Sequence, residues 1–301
     1  MSGDAARLAE LAARWRDDLA EWAIPGEIRA AAADSPWAMS SALFAARTDA
    51  ELREPGGPSY RRALAALPVG GTVLDVGSGA GTAGLPLAAA RSATLVAVDL
   101  SADMLDELAR RAAAHGVRSR CVRGSWPDVA VAVDLSDPAA TAGAADRAAR
   151  RADVAVCKDV VYNVPDLPAF LAALTAHARA LVVVELTERH PLTPFNPLWL
   201  RLHGLRRPER PVAGDVHEIA AAMGLRPRAE RWTRTTHGPY GTFDDLVQTA
   251  CRRLCLPADR SAEVAAALRE LGTDPAEPYL PGTRARPAMT IWWPGEALPE
   301  C

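Results

Sequence analysis

An α/β fold with a parallel sheet is what this sequence predicts, and three observations predict it. Short β-branched runs alternate with helical stretches between Thr72 and Leu186, the first run ends in a glycine-rich turn from Gly77 to Gly81, and the second run ends in an acid, Asp99. Alternation of this kind calls for a doubly wound sheet with helices on both faces. In such a sheet ligands sit beyond the carboxyl ends of the strands.

The elements follow in order. Leu8, Leu11, Trp15, Leu19 and Trp22 recur at helical spacing and predict an amphipathic first helix, which Pro25-Gly26 ends. A second helix over 27–33 and a third over 39–48 follow. The cluster Pro55-Gly56-Gly57-Pro58 then reads as a boundary, separating a helical cap or lid (1–54) from the main domain (55–301). Within that domain strands are predicted over 72–76, 93–98, 119–122, 153–157 and 180–186. The helices between them are predicted over 82–90, from Ser101 onward, over 137–152 with Asp137 as N-cap and Pro138 at the first helical position, and over 167–178 capped by Asp166. After Glu185 the rhythm changes. Residues 190–211 are proline-rich and basic, with Phe195, Trp199 and Leu200 as apolar anchors, and read as a second lid segment. A helix over 215–223, a strand over 228–235, helices over 243–254 and 261–271 and a last strand over 289–293 complete the chain.

Composition narrows the function classes. Hydrophobic residues make up 49% of the 301, enough to fill a core, and the net charge of -3 with no long basic block gives general nucleic-acid binding no electrostatic footprint. Charges interrupt every alanine-rich stretch before it could span a bilayer, and the N-terminus lacks the apolar core of a signal peptide. The five cysteines form neither a CxxC pair nor a zinc-ligand spacing, so free thiols of a cytoplasmic protein without a metal are expected. Cys251 and Cys255, one helical turn apart, read as a packed helix face.

The chemistry begins at Val73-Leu74-Asp75-Val76-Gly77-Ser78-Gly79-Ala80-Gly81. Glycines let a backbone approach a ligand closely, and the helix that follows offers unpaired N–H groups. Asp99, at the end of the next strand, is placed to accept both hydroxyls of a ribose. The fingerprint of nicotinamide dehydrogenases would need glycine where Thr82 stands, and Asp75 would repel a pyrophosphate but attract a cationic amino acid.

At these residues the sequence resembles the class I S-adenosylmethionine-dependent methyltransferases, in particular their small-molecule branch, over roughly 64–186. The resemblance implies a Rossmann-like seven-stranded sheet with the last strand antiparallel, and S-adenosylmethionine as cofactor. It implies further that Asp75, Gly77, Ser78, Gly79 and Gly81 hold the methionine part, that Asp99 takes the ribose, and that Leu100 and Met104 pack on the adenine. Where the family often places an acid against the adenine amino group this chain has Gly124-Ser125-Trp126, so Ser125 is assigned that contact and Trp126 either stacks on the base or fills the core.

The fourth strand ends in Cys157-Lys158-Asp159-Val160-Val161-Tyr162-Asn163. Lys158, Asp159 and Tyr162 are candidates to face the transferred methyl, with Lys158 on the cofactor side. Asn163 is followed by Val164-Pro165 and so lacks the signature of enzymes that methylate nucleobase amines. Asp159 and His190 are the candidate bases, and Arg201, Arg206, Arg207 and Arg210 are basic enough to attract an anionic acceptor or simply to be solvated. The reaction expected is in-line displacement, with alignment as the protein's main task. Two other classes stay open: a cofactor-binding non-methylating enzyme or regulatory module, and a nicotinamide-dependent oxidoreductase.

Overall fold

The computed structural model describes residues 3–32, 34–37, 41–130, 133, 151–235 and 240–295. Its helices α1 (Gly3–Ala20), α2 (Gly26–Ala30), α3 (Ser41–Arg53) and α4 (Gly57–Ala66) precede the sheet. Then come β1 (Thr72–Val76), α5 (Gly84–Arg91), β2 (Thr94–Asp99), α6 (Ala102–Ala114), β3 (Ser119–Arg123), β4 (Ala152–Lys158), α7 (Leu167–Ala176) and β5 (Ala178–Thr187). The chain ends through α8 (Asn196–His203), α9 (Ala213–Ala222), β6 (Arg228–Thr235), α10 (Phe243–Arg253), α11 (Ser261–Glu270) and β7 (Ala285–Pro294).

The seven strands lie in the order β3-β2-β1-β4-β5-β7-β6, with β7 antiparallel to both neighbours and the first five parallel. The order reverses between β1 and β4, which opens a crevice at the carboxyl ends of those strands. The central strands β1, β2 and β4 are nearly continuous apolar runs because helices cover both faces. The outer strands β3 and β6 alternate in exposure and carry charges, as edges do.

Leu74, Val76, Val96 and Val98 point into one core with α7 and α9, while Val73, Leu95 and Ala97 point into the other with Leu85, Leu105 and Leu108. Local chemistry sets the helix starts. Ser101 accepts the Met104 amide at 3.3 Å and Asp166 the Ala169 amide at 3.3 Å, while Thr242 and Asp245 cap each other's amides at 3.1 and 2.9 Å.

Several expectations need revising. The Pro55–Pro58 cluster is more than a connection, since Gly57 and Pro58 open α4; proline is at home there because its missing N–H has no intrahelical partner anyway. The glycine at 57 is required, with φ 84° and the Trp232 ring against the place where a Cβ would stand. Ala152 begins β4 rather than ending a helix, and the rest of the helix expected over 137–152 falls outside the described residues apart from Arg151. Residues 190–211 contain a helix, α8, with Pro197 in its first turn.

The stretch 1–54 does not behave as one unit. Leu11 and Trp15 of α1 are buried in the main core, and the Trp15 indole donates to the Val164 carbonyl at 2.8 Å and stacks on Tyr162. Ile24 joins a separate apolar cluster built by α8, α10 and α11, which also buries Cys251 and Cys255. Helix α3 lies across α5 and α6, tied down by Thr48 to Thr82 at 2.9 Å, Asp49 to Arg111 at 2.9 Å and Glu51 to Lys158 at 2.9 Å. Ile24, α8, α10 and α11 thus share a small apolar core of their own.

Candidate cofactor and acceptor site

The turn from Gly77 to Gly81 departs from β1 in left-handed backbone: φ is 69° at Gly77, 51° at Gly79 and 97° at Gly81. A Cβ at Gly77 would also collide with Val160, and one at Gly81 with Leu85, so both glycines serve packing as well as turn geometry. Most amides of the turn are already spent, three on β2 and one within the turn. Gly77 and Ser78 donate to the Val98 carbonyl at 2.8 and 3.1 Å, Gly79 to Asp99 at 2.8 Å and Gly81 to the Ser78 carbonyl at 2.8 Å. Such a turn makes a poor cradle for pyrophosphate.

Asp75 lies beneath this turn, fully buried, and its Oδ2 accepts the Gly84 amide at 2.8 Å. That amide opens α5, so a carboxylate already occupies the favourable end of the helix dipole. Burial pushes the Asp75 pKa up to about 7; the Gly84 bond works the other way, and Asp99 adds to the rise.

Asp99 ends β2 with Oδ2 on the Gly79 amide and Oδ1 on the Ser101 amide at 2.9 Å. Each carboxylate oxygen has a second acceptor site, so both can still receive a hydroxyl. Leu100 beside it is 67% exposed, an apolar platform at the mouth of the crevice, while Met104 is buried in the first turn of α6. Ser125 is exposed at the end of β3. Trp126 is buried in the core: its indole donates to the Phe170 carbonyl at 3.4 Å and meets His177 edge-on. Of the two roles open to Trp126, core filling is the one its surroundings serve.

At the carboxyl ends of β4, β5 and β6 stands a charged cluster. Lys158 contacts Glu51 at 2.9 Å and Glu185 at 3.3 Å, and Arg234 grips Asp159 through two contacts at 2.8 and 3.1 Å while touching Glu185 at 3.0 Å. Ser59 donates to Glu185 as well. Burial would raise the Asp159 carboxyl, but Arg234, then Lys158 and Arg47, outweigh it and hold it below the ordinary carboxylate range. Burial and the charges of Glu185 and Glu51 act oppositely on Lys158, and the carboxylates prevail, raising it. Asp159 takes a positive φ of 59°, which turns the chain sharply off β4.

A family profile described as a methyltransferase domain matches residues 49–230, more than half of the chain. The chain belongs to that methyltransferase family. Membership carries the expected reaction class, methyl transfer with S-adenosylmethionine as donor, and the sheet order agrees with the seven-stranded fold that the resemblance implied. Among solved structures the methyltransferase is similar in fold to the YcgJ protein of Bacillus subtilis, with 15% identity, 80% of this chain and 99% of that chain covered, and a TM-score of 0.50. A methyltransferase of Geobacter sulfurreducens, solved with S-adenosylhomocysteine, matches at 18% identity over 84% of this chain and 98% of its own, with a TM-score of 0.45. No curated protein matches.

The residues of the methyltransferase's crevice fit the donor. Among the described residues the buried Ser78 hydroxyl has no hydrogen-bond partner, Asp99 has acceptor capacity to spare, and Leu100 offers apolar surface beside it. The candidate bases fare differently. His190 is 7% exposed, its ring stacked on Trp22 with 3.9 Å between centroids and edge-on to Tyr162, and its Nδ1 receives the Leu192 amide at 3.2 Å. Burial, with Arg207 and Arg286 nearby, lowers its pKa to about 3. Tyr162 is fixed too, donating to the Thr187 carbonyl at 2.8 Å, and burial raises its pKa strongly.

Three of the four arginines between 201 and 210 are used by the fold. Arg201 pairs with Glu270 at 3.3 Å, Arg210 with Asp18 and Asp215 at 3.0 and 2.6 Å, and Arg207 donates to the Ala23 and Trp22 carbonyls while lying over Trp199. The sequence reading missed Glu51, Ser59, Glu185 and Arg234. Glu185 had a signal, a lone carboxylate inside the apolar run of β5, but the arginine of an alternating edge strand is indistinguishable from a solvated one until the pairing is known. Among the described residues no helix is long and apolar enough to cross a membrane.

Proposed function

We propose that this methyltransferase passes the methyl group of S-adenosylmethionine to a small-molecule acceptor, held between the sheet's carboxyl end and the helical cap. The observation that carries the reading is the pair of acids: Asp75 already satisfies the start of α5, where a dinucleotide would set its pyrophosphate, and Asp99 stands ready for a ribose. When bound, the donor supplies a sulfonium methyl with a good leaving group. The chain's own residues then have to bind and orient. Asp75 gives negative potential under the amino-acid end, the Ser78 hydroxyl lies within the same turn, and Leu100, Met104 and Ser125 border the adenine end.

In this reading neither Asp159 nor His190 removes a proton. Asp159 positions Arg234, and His190 packs the joint between cap and sheet; catalysis rests on alignment and exclusion of water. The free thiols of Cys121, Cys157, Cys251 and Cys255 accord with a cytoplasmic enzyme. Thermal-shift measurements with S-adenosylmethionine, S-adenosylhomocysteine, NAD and NADP test the proposal. Stabilisation by the two sulfur nucleosides alone is expected, and stabilisation by the dinucleotides alone would overturn it.

A further inference from the structure

Arg234 of β6 and Arg286 of β7 are direct cross-strand partners, so two guanidinium-bearing side chains leave the same face of the sheet side by side. Like charges placed this way repel. Arg234 is compensated by Asp159 and Glu185. Arg286 has no carboxylate in contact among the described residues: its guanidinium reaches the Pro191 carbonyl at 3.4 Å, and Asp159, already held by Arg234, supports it only at longer range. The three carboxylates of this corner, Glu51, Asp159 and Glu185, are all engaged already by Lys158 or Arg234. Arg47 of α3 and Tyr240, just ahead of α10, lie within electrostatic range of Arg286, and Arg253 acts on Tyr240 in turn. Burial together with the charges of Arg234 and Arg47 works against the Arg286 cation and, outweighing the support of Asp159 and Tyr240, lowers its pKa. The Arg286 cation thus lies at a half-buried corner formed by sheet, cap and α3, beyond the strand ends where the acceptor would lie, with no carboxylate in contact among the described residues.

A guanidinium held partly away from water with no carboxylate in contact is costly, and its planar fork matches carboxylate and phosphate oxygens. We infer that the acceptor carries an anionic oxygen group, a carboxylate or a phosphate, which docks on Arg286 with Arg47 and Tyr240 beside it. This rests on the methyl-transfer reading for its location, not for its chemistry. It also moves anion recognition away from the arginines between 201 and 210.

The test titrates benzoate and, separately, inorganic phosphate at constant ionic strength into the protein saturated with S-adenosylhomocysteine. Calorimetry compares the natural protein with Arg286→Gln and Arg286→Lys. Saturable binding of at least one anion is expected, weakened about 10- to 100-fold in Arg286→Gln, the loss of one or more charged hydrogen bonds. An intermediate loss is expected in Arg286→Lys, which keeps the charge but not the fork. Binding of benzoate alone identifies a carboxylate acceptor, and of phosphate alone a phosphorylated one. Absence of binding to the natural protein, or binding that both variants leave unchanged (an adventitious ion only), overturns the inference. The saturation step separates the two readings. Failure of S-adenosylhomocysteine to bind, with anion binding still dependent on Arg286, would remove the donor assignment and leave the anion site standing.

Discussion

Asp75 Oδ2 accepts the Gly84 amide at 2.8 Å, so the carboxylate that ends β1 is also the counter-charge of α5. One side chain thereby shapes the turn and stabilises the helix start, and in the proposed reading it also sets the sign of the potential beneath the donor. Its burial makes it costly to ionise, and that cost is measurable.

The first prediction concerns pH and stability. Folded Asp75 holds its proton to about pH 7, whereas in the unfolded chain it loses it near 3.8. Between these values the folded state binds more protons, so this group's contribution to stability falls as pH rises through the window. Asp75→Asn, which has no proton to lose, is expected to melt at a higher temperature than the natural protein by a margin that widens from pH 5 to pH 8. The same variant should bind S-adenosylmethionine more weakly and lose the tightening of binding that the natural protein shows as pH rises through 7. A constant margin in the melts would show that Asp75 does not titrate there.

Asp99 serves the turn and, in the proposed reading, the ribose. Asp99→Ala removes acceptors from Gly79 and Ser101 along with those offered to the donor. Calorimetry is expected to show S-adenosylhomocysteine bound about 10- to 100-fold more weakly, since a hydrogen bond to a charged group is worth roughly 1.5–3 kcal/mol. An unchanged dissociation constant would refute the ribose assignment.

Asp159 and His190 separate alignment from base catalysis. Asp159→Asn should lower turnover by much less than the roughly 100- to 10,000-fold that loss of a general base costs, and leave the pH–rate profile in place. His190→Gln should lower the melting temperature through lost stacking on Trp22, with turnover below that temperature largely kept. A loss in the full general-base range for either variant, with donor affinity intact, would restore that residue as the base.

Trp15 tests whether the first helix belongs to the core. Its indole is 1% exposed and hydrogen-bonded to Val164, and removing such a side chain typically costs about 3–5 kcal/mol. Trp15→Ala is expected to show a large drop in denaturation midpoint, and deletion of residues 1–54 to give insoluble protein. A soluble, cooperatively folding deletion product would return that stretch to the role of a detachable lid.

The parallel core was legible because its strands are buried on both faces and its turn needs glycine at set positions; Thr72–Val76 and the turn after it follow from composition alone. Helix α4 was not, since Pro-Gly-Gly-Pro marks a helix start as readily as a linker, and only the packing of Gly57 on Trp232 decides between them. For the site the same division holds. Asp75 and Asp99 are close in sequence to the turn they serve and could be read from it. Arg234, Arg286 and Glu185 meet only through the placement of β7 between β5 and β6, a long-range pairing that no local pattern encodes.

The two outer strands also bear on how copies of this chain meet. Among the described residues β3 and β6 each leave one row of backbone amides and carbonyls without a neighbouring strand, and in a crowded solution such rows invite a stranger's strand to dock. Here Arg120 and Arg123 line one border, and Arg228 and Arg231 the other. A second copy approaching border to border brings guanidinium against guanidinium before any ladder can form. The sheet's margins thus repel their own kind, and fibre-like stacking is opposed from the first encounter.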